Sequence, residues 1–273
     1  MNPGRHLEKT RKKRPLVHFI TNAVTVNDCA NATLAVGASP IMADDPAEAA
    51  DVSAMCQATV LNMGTPCERT VKAMVLAGSR AREKGHHVVF DPVGAGVSNL
   101  RKDAARSILD EVCPDIIKGN VSEIMALALG TGSARGVDVR PEDQAQGAFE
   151  RHVSLARVLA DRQKAVIVVT GPVDIVTDGR KTYLVRNGTA LMETVSGLGC
   201  VAAGILGAFA GAAPKSLVKA CAAAMACMGV AGEMAERRLP AGAGSGTYHV
   251  LFLDALSRLY GDRLEKMACL ERV

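Results

Sequence analysis

Short runs of β-branched and other apolar residues alternate along the chain with longer stretches whose apolar positions recur at helical spacing. The runs are Val17–Ile20, Thr59–Asn62, His87–Asp91, Asp115–Ile117, Ala165–Thr170, Ile175–Thr177 and Thr182–Val185. Most are apolar throughout, as strands must be when helices cover both faces of a parallel sheet. The last two stand close together across Asp178-Gly179, which predicts a hairpin-like turn and an antiparallel edge. Helices are expected over 25–36, 47–56, 68–84, 103–112, 121–129, 143–162, 200–212, 216–237 and 248–259. Pro46, Pro66 and Pro214 fall near helix starts, where the missing N–H costs little, and Gly37, Gly85 and Gly130 fall near ends suited to left-handed caps. Strand and helix in alternation predict an α/β fold with a mostly parallel sheet. No repeat of 20–50 residues is visible, and Thr131–Gly147 reads as a surface connection within one domain spanning 15–273.

Composition narrows the function classes. At 273 residues with 48% apolar content, the chain builds a core without disulfide or metal staples. Aromatic residues are only 3%, too few for a platform that stacks single-stranded nucleic acid. The formal charge of +4 is concentrated at the front: residues 1–14 carry a net +5 and the rest −1. Such a distribution predicts a basic, disordered N-terminal tail on a body with no footprint for nucleic acid. Eight cysteines are scattered without a C-x-x-C pair, which suits a reduced cytoplasm. The N-terminus lacks the apolar core of a signal peptide. Residues 194–214 are uncharged but rich in Gly and Ala, so they read as a packed internal helix rather than a membrane span.

The strongest local feature is Ser196-Gly197-Leu198-Gly199-Cys200, a glycine turn opening a helix of small residues. Converging backbone N–H groups and the helix start make Gly197, Leu198, Gly199 and Cys200 an anion hole for a phosphoryl group; a plain tight turn has the same pattern. Cys200 in the first turn is expected to have its thiol pKa lowered by the helix dipole, or to be a small buried filler. Lys118-Gly119-Asn120-Val121-Ser122-Glu123 follows a strand. Asn120 and Glu123 share a helix face, suited either to water-mediated Mg²⁺ and phosphate binding or to a capping pair. Asp91-Pro92-Val93-Gly94 and Thr170-Gly171-Pro172 also end strands, where α/β sheets collect ligands and where ordinary turns also occur. Asn22 and Met42, ending short extended runs, suit a small heteroaromatic ligand, although Met is also a general core filler. Ser-His-Asp, Walker A and Rossmann patterns are absent.

Pro15-Leu16-Val17-His18 with Thr21-Asn22, Gly37–Met42, Asp91–Gly94, Gly119–Ile124, Arg135-Gly136-Val137-Asp138, Thr170–Asp174 with Val176–Gly179, and Gly197–Cys200, taken in order, resemble hydroxyethylthiazole kinase. The resemblance covers nearly the whole chain after the basic tail. It implies a three-layer α/β/α ribokinase-like fold and transfer of the γ-phosphoryl of ATP to the hydroxyl of 4-methyl-5-(2-hydroxyethyl)thiazole, with ATP as co-substrate and Mg²⁺ as cofactor. It further implies a homotrimer with active sites at subunit interfaces. By residue, it implies that Met42, Gly197 and Asn22 meet the thiazole, Lys118 and Thr170 meet ATP, Asp91 and Glu123 serve the metal, and Cys200 stands where related sugar kinases carry an aspartate base. Two positions depart from the family pattern. Leu198 replaces a threonine of the anion turn, and Lys118 replaces an arginine, so a point charge stands in for a bidentate fork and weaker ATP affinity is expected. Alternatives are a hydroxymethylpyrimidine or pyridoxal kinase, a related ATP-dependent dehydratase, and a thiazole-binding protein without turnover.

Overall fold

Nine strands form one sheet in the order β2-β1-β3-β4-β5-β6-β7-β8-β9. They are β1 Leu16–Ile20, β2 Ser39–Met42, β3 Ala58–Asn62, β4 His87–Asp91, β5 Ile116–Asn120, β6 Val166–Thr170, β7 Asp174–Thr177, β8 Thr182–Val185 and β9 Leu270–Arg272. The computed structural model describes residues 1–129, 147–213, 215 and 217–273. Strands β1 to β6 are parallel, and β7, β8 and β9 each run antiparallel to the neighbour before them. The predicted antiparallel edge is thus present, made one strand wider by β9. The expected features at Gly130, Pro214 and Arg135–Asp138, and the connection Thr131–Gly147 apart from Gly147 itself, lie outside the described residues.

The helices are α1 Pro3–Lys13, α2 Val26–Ala35, α3 Ala49–Met55, α4 Glu68–Glu83, α5 Asn99–Ser107, α6 Val121–Leu129, α7 Ala148–Gln163, α8 Leu198–Ala212, α9 Leu217–Glu236, α10 Ser245–Arg258 and α11 Gly261–Met267. They cover both sheet faces. Alternate strand residues Phe19, Val60 and Val168 pack with α2, α8, α9 and α10 in one core, while Leu61, Phe90, Ile117 and Ile167 pack with α4, α6 and α7 in the other. The small residues of α8 have a steric reason. A Cβ at Gly207 would stand 2.9 Å from Val60 Cγ2, and one at Gly204 3.1 Å from the Phe19 ring. Larger side chains would lift α8 off the sheet. Residues 194–213 are therefore an internal helix and its flanks, as composition suggested. Among the described residues one helix, α9, is long and apolar enough to cross a membrane, and most of it is buried inside the molecule.

The basic front is not a disordered tail. Asn2 caps α1 by accepting from the Arg5 N–H at 2.7 Å, and Leu7 and Thr10 are fully buried. Arg11 donates to the carbonyls of Leu256 and Ser257 at the end of α10. The charge run concealed an amphipathic helix: its cations face outward while the apolar stripe docks against α9 and α11.

This order puts β1 between β2 and β3, with the chain winding outward in both directions. Such a switch point opens a crevice beyond the carboxyl ends of the strands. Asn22, Asn62, Asp91, Asn120 and Thr170 all issue at that edge.

Candidate active site

Each polar group at the crevice is delivered by the end of a strand or the start of a helix. Asn22 follows β1, turns back, and accepts at Oδ1 from the N–H groups of Val24 and Thr25, both at 3.1 Å. Its Nδ2 donates to Asn62 Oδ1 at 3.0 Å and lies 3.2 Å from Cys200 Sγ. Asn62 closes β3 and donates to Asp91 Oδ2 at 2.7 Å. Lys118 Nζ donates to Asp91 Oδ1 at 3.2 Å. A continuous polar chain therefore runs from the thiol of α8 across three strands to a buried ammonium.

The charges in this chain are coupled. Asp91 is fully buried and Lys118 only 4% exposed. Burial pushes the Asp91 carboxyl up, and Lys118 and the Asn62 amide pull against it. Burial also opposes the Lys118 charge, but Asp91, Glu123 and Cys200 outweigh it and hold the ammonium above the ordinary lysine range. Lys118 is a fixed cation.

Glu123 and Asn120 form a reciprocal cap at the start of α6. Asn120 Oδ1 accepts from the Glu123 N–H at 2.9 Å and Glu123 Oε2 from the Asn120 N–H at 2.8 Å. Glu123 Oε1 also accepts from Gly94 N–H at 3.0 Å, tying the loop after β4 to α6. Burial raises the Glu123 pKa, and Lys118 pulls it back. For a magnesium ion the donor set fits an outer role. Each of these carboxylate oxygens already accepts a hydrogen bond, Lys118 neutralises part of their charge, and among the described residues no three His, Cys, Asp or Glu side chains cluster as a metal cage. Mg²⁺ keeps much of its water and takes substrate phosphates as ligands, so such a rim is suited to it.

The other wall is the start of α8. Gly197 caps it with φ +85°, and a Cβ there would run into Thr25 Cγ2. Position 197 thus needs glycine for its backbone angle and for its neighbour. Gly199 lies against Lys118, whose Nζ would stand 3.3 Å from a Cβ at that position. Leu198 is 5% exposed and belongs to the core beneath the turn, so a buried apolar side chain stands where the resemblance implied a threonine, and the turn presents its backbone.

Cys200 differs from expectation in one respect. Its thiol pKa is raised rather than lowered, by burial first and the Asp91 carboxylate second; Lys118, Asn62 and Thr25 oppose the shift without reversing it. Desolvation and a nearby negative charge outweigh the helix dipole. Thr170 is half-buried at the end of β6, opposite Asn120 in register. Met42 stands at the same edge of the sheet but on the outermost strand, beside Phe19, 37% exposed. The geometry therefore brings Asn22, Asp91, Lys118, Glu123, Gly197, Leu198, Gly199 and Cys200 together, with Thr170 on the rim and Met42 set apart.

Three residues were missed. Asn62 links Asn22 to Asp91, and it was visible by the rule that selected Asp91: a polar residue closing an apolar strand. Thr25 sets the space over Gly197. Arg101, from α5, donates to the carbonyls of Met63, Gly64 and Val93 at 2.6, 2.7 and 2.5 Å, pinning together the loops after β3 and β4. No local pattern signals Thr25 or Arg101.

A parallel sheet flanked by helices, a glycine turn at a helix start and a fixed lysine facing it define an α/β enzyme of the ribokinase-like fold. At the level of fold alone, the chain superposes with a TM-score of 0.61 and 13% identity on the pyridoxal kinase of Staphylococcus aureus in complex with AMP-PCP and pyridoxal, covering 94% of this chain and 98% of that one. The chain belongs to the hydroxyethylthiazole kinase family, whose model matches residues 7–262. It is 44% identical over 256 residues to the hydroxyethylthiazole kinase of Ruminiclostridium cellulolyticum, covering 93% of this chain and 92% of that protein. It is 45% identical over 258 residues to that of Methanocella arvoryzae, covering 94% and 93%. The structure of the Pyrococcus horikoshii hydroxyethylthiazole kinase matches with a TM-score of 0.88 and 36% identity, over 99% of this chain and 98% of that one.

Proposed function

We propose that the protein transfers the γ-phosphoryl group of ATP to the hydroxyl of 4-methyl-5-(2-hydroxyethyl)thiazole. The observation that carries this reading is the polar chain from Cys200 through Asn22, Asn62 and Asp91 to Lys118, facing the glycine turn that opens α8. Phosphoryl transfer passes through a loose transition state in most analyses, so positioning and charge neutralisation matter more than a strong base. The backbone of Gly197, Leu198, Gly199 and Cys200 supplies donors for the transferring group, and Lys118 supplies a cation whose position Asp91 fixes. Thr170 offers a hydroxyl to the nucleotide. Asp91 and Glu123 would hold Mg²⁺ through its water; when bound, the ion neutralises phosphate charge. Cys200, a protonated thiol beside Asn22, positions the acceptor hydroxyl and takes its proton only weakly.

Met42, open on the edge strand, fits a thiazole-binding place that a neighbouring subunit completes, and the assembly we propose is a homotrimer. All eight cysteines are free thiols, which agrees with a cytoplasmic enzyme. An assay with ATP, Mg²⁺ and hydroxyethylthiazole, read by product mass, tests the reading, and thiazole monophosphate is expected. Preferential transfer to hydroxymethylpyrimidine or pyridoxal would overturn the substrate, and a thermal shift with the thiazole but no transfer would identify a binding protein. The lysine in place of arginine adds a finer test: Lys118→Arg should lower the KM for ATP.

A further inference from the structure

A second set of cations lies at the opposite end of the sheet. The β7–β8 turn sits at the amino-terminal edge of the parallel strands, because Thr177 and Thr182 stand beside Ile167 near the start of β6. Between that turn, β9 and the starts of α1 and α9 opens a cleft of about 380 Å³, at the small end of the range for ligand sites. Lys181, Lys219 and Arg272 line it, with Glu265 as its one acid. Glu265 already accepts from the Gly4 N–H at 3.2 Å. The three cationic side chains form no ion pair or side-chain hydrogen bond among the described residues. Nearby, burial first and then Lys9, Lys219 and Arg5 depress the His6 pKa.

Tyr183 supplies an independent observation. It is 5% exposed and lies directly opposite Arg272 in the β8–β9 register, so the two side chains share the sheet face that lines the cleft. Its hydroxyl has no hydrogen-bond partner among the described residues. The ring is packed against the core and the hydroxyl is left open to the cleft. Three like charges and a phenol donor that converge on one cleft suit a multiply charged oxyanion. Arg272 offers a bidentate fork, the two lysines point charges, and Tyr183 an O–H donor. A single carboxylate would leave most of these unsatisfied.

We propose that this cleft binds a diphosphate group, either as inorganic diphosphate or as the diphosphate end of a nucleotide. The test is calorimetric titration of the full chain with inorganic diphosphate at fixed ionic strength. One binding event is expected, weakened about tenfold in Lys219→Gln and again in Arg272→Gln, and less in Tyr183→Phe, as loss of charged and neutral hydrogen bonds predicts. Thermal melts of each variant separate lost binding from lost folding, and thiazole phosphorylation without added diphosphate should not change. Titration with ADP then distinguishes the sources. Two events reduced to one in the Lys219→Gln, Arg272→Gln double variant point to a nucleotide, and one unaltered event points to inorganic diphosphate. Absence of diphosphate binding in the wild type, or equal affinity in the double variant, overturns the proposal.

Discussion

The two walls of the crevice are built in opposite ways. The strand wall is a hydrogen-bonded chain of side chains, Asn22, Asn62, Asp91 and Lys118, in which each group holds the next. The helix wall presents backbone, with glycine at 197 and 199 and a single reactive side chain at Cys200. The first wall is rigid because its charges are buried and paired; the second is shaped because its side chains are missing. Function thus depends on charge compensation on one side and on steric clearance on the other.

The largest effect should come from breaking the strand wall. Lys118→Met leaves Asp91 buried without its cation, and removing one partner of a buried pair costs about 3–5 kcal/mol. A large fall in Tm together with loss of turnover is expected. A variant that keeps the wild-type Tm would mean that Asp91 takes up a proton with little penalty, and the strand wall would be held by its amides alone.

The helix wall should respond to volume. Gly197→Ala forces a side chain into a left-handed position, at about 1–2 kcal/mol, and against Thr25 as well. Adding Thr25→Ser removes the methyl group it meets, so the double variant should recover part of the lost Tm but not the backbone part. Recovery of the whole would show that clearance alone sets this turn. Cys200→Ala adds no volume and should fold as the wild type while turning over about tenfold more slowly, less than loss of a full general base. Because the thiol pKa is raised, the thiolate grows only as pH rises well above neutral. The wild-type rate should climb there, and the variant's should not. A folded Cys200→Ala protein with no turnover would make the thiol a principal base.

Much of the strand wall was legible in the sequence because a polar residue that ends an apolar strand stands out against it, as Asp91 and Thr170 do. Asn62 obeys the same rule and was equally visible, but as an uncharged amide it reads as the last residue of its strand; the fold adds its two partners, Asn22 and Asp91. Arg101 sits among Lys102, Asp103 and Arg106 and resembles a solvated face; only folding brings three carbonyls to it. The direction of the Cys200 shift was misjudged because a helix start is a local feature, whereas burial and Asp91 come from distant parts of the chain. Helix α1 was obscured in the reverse sense, its charges being obvious and its buried stripe of Leu7 and Thr10 short.

Asp174 gives the finest probe of the strand wall, because it adds a further buried carboxylate to the row at the strand ends. It lies at the start of β7 on the crevice edge, buried, and accepts from Gly171 N–H at 3.0 Å. Burial raises its pKa to about 7, with Gly171 and the more remote Lys118 opposing. The folded protein therefore retains a proton that the unfolded chain releases at the ordinary aspartate pKa. That contribution to stability is complete below the unfolded value and disappears as pH rises through about 7. Asp174→Asn keeps an acceptor for Gly171 and carries no charge at any pH. Its Tm advantage over the wild type should be small near pH 5 and larger near pH 8, with turnover little changed. An advantage that is the same at both pH values would mean Asp174 is already ionised in the fold, with Gly171 and Lys118 outweighing burial.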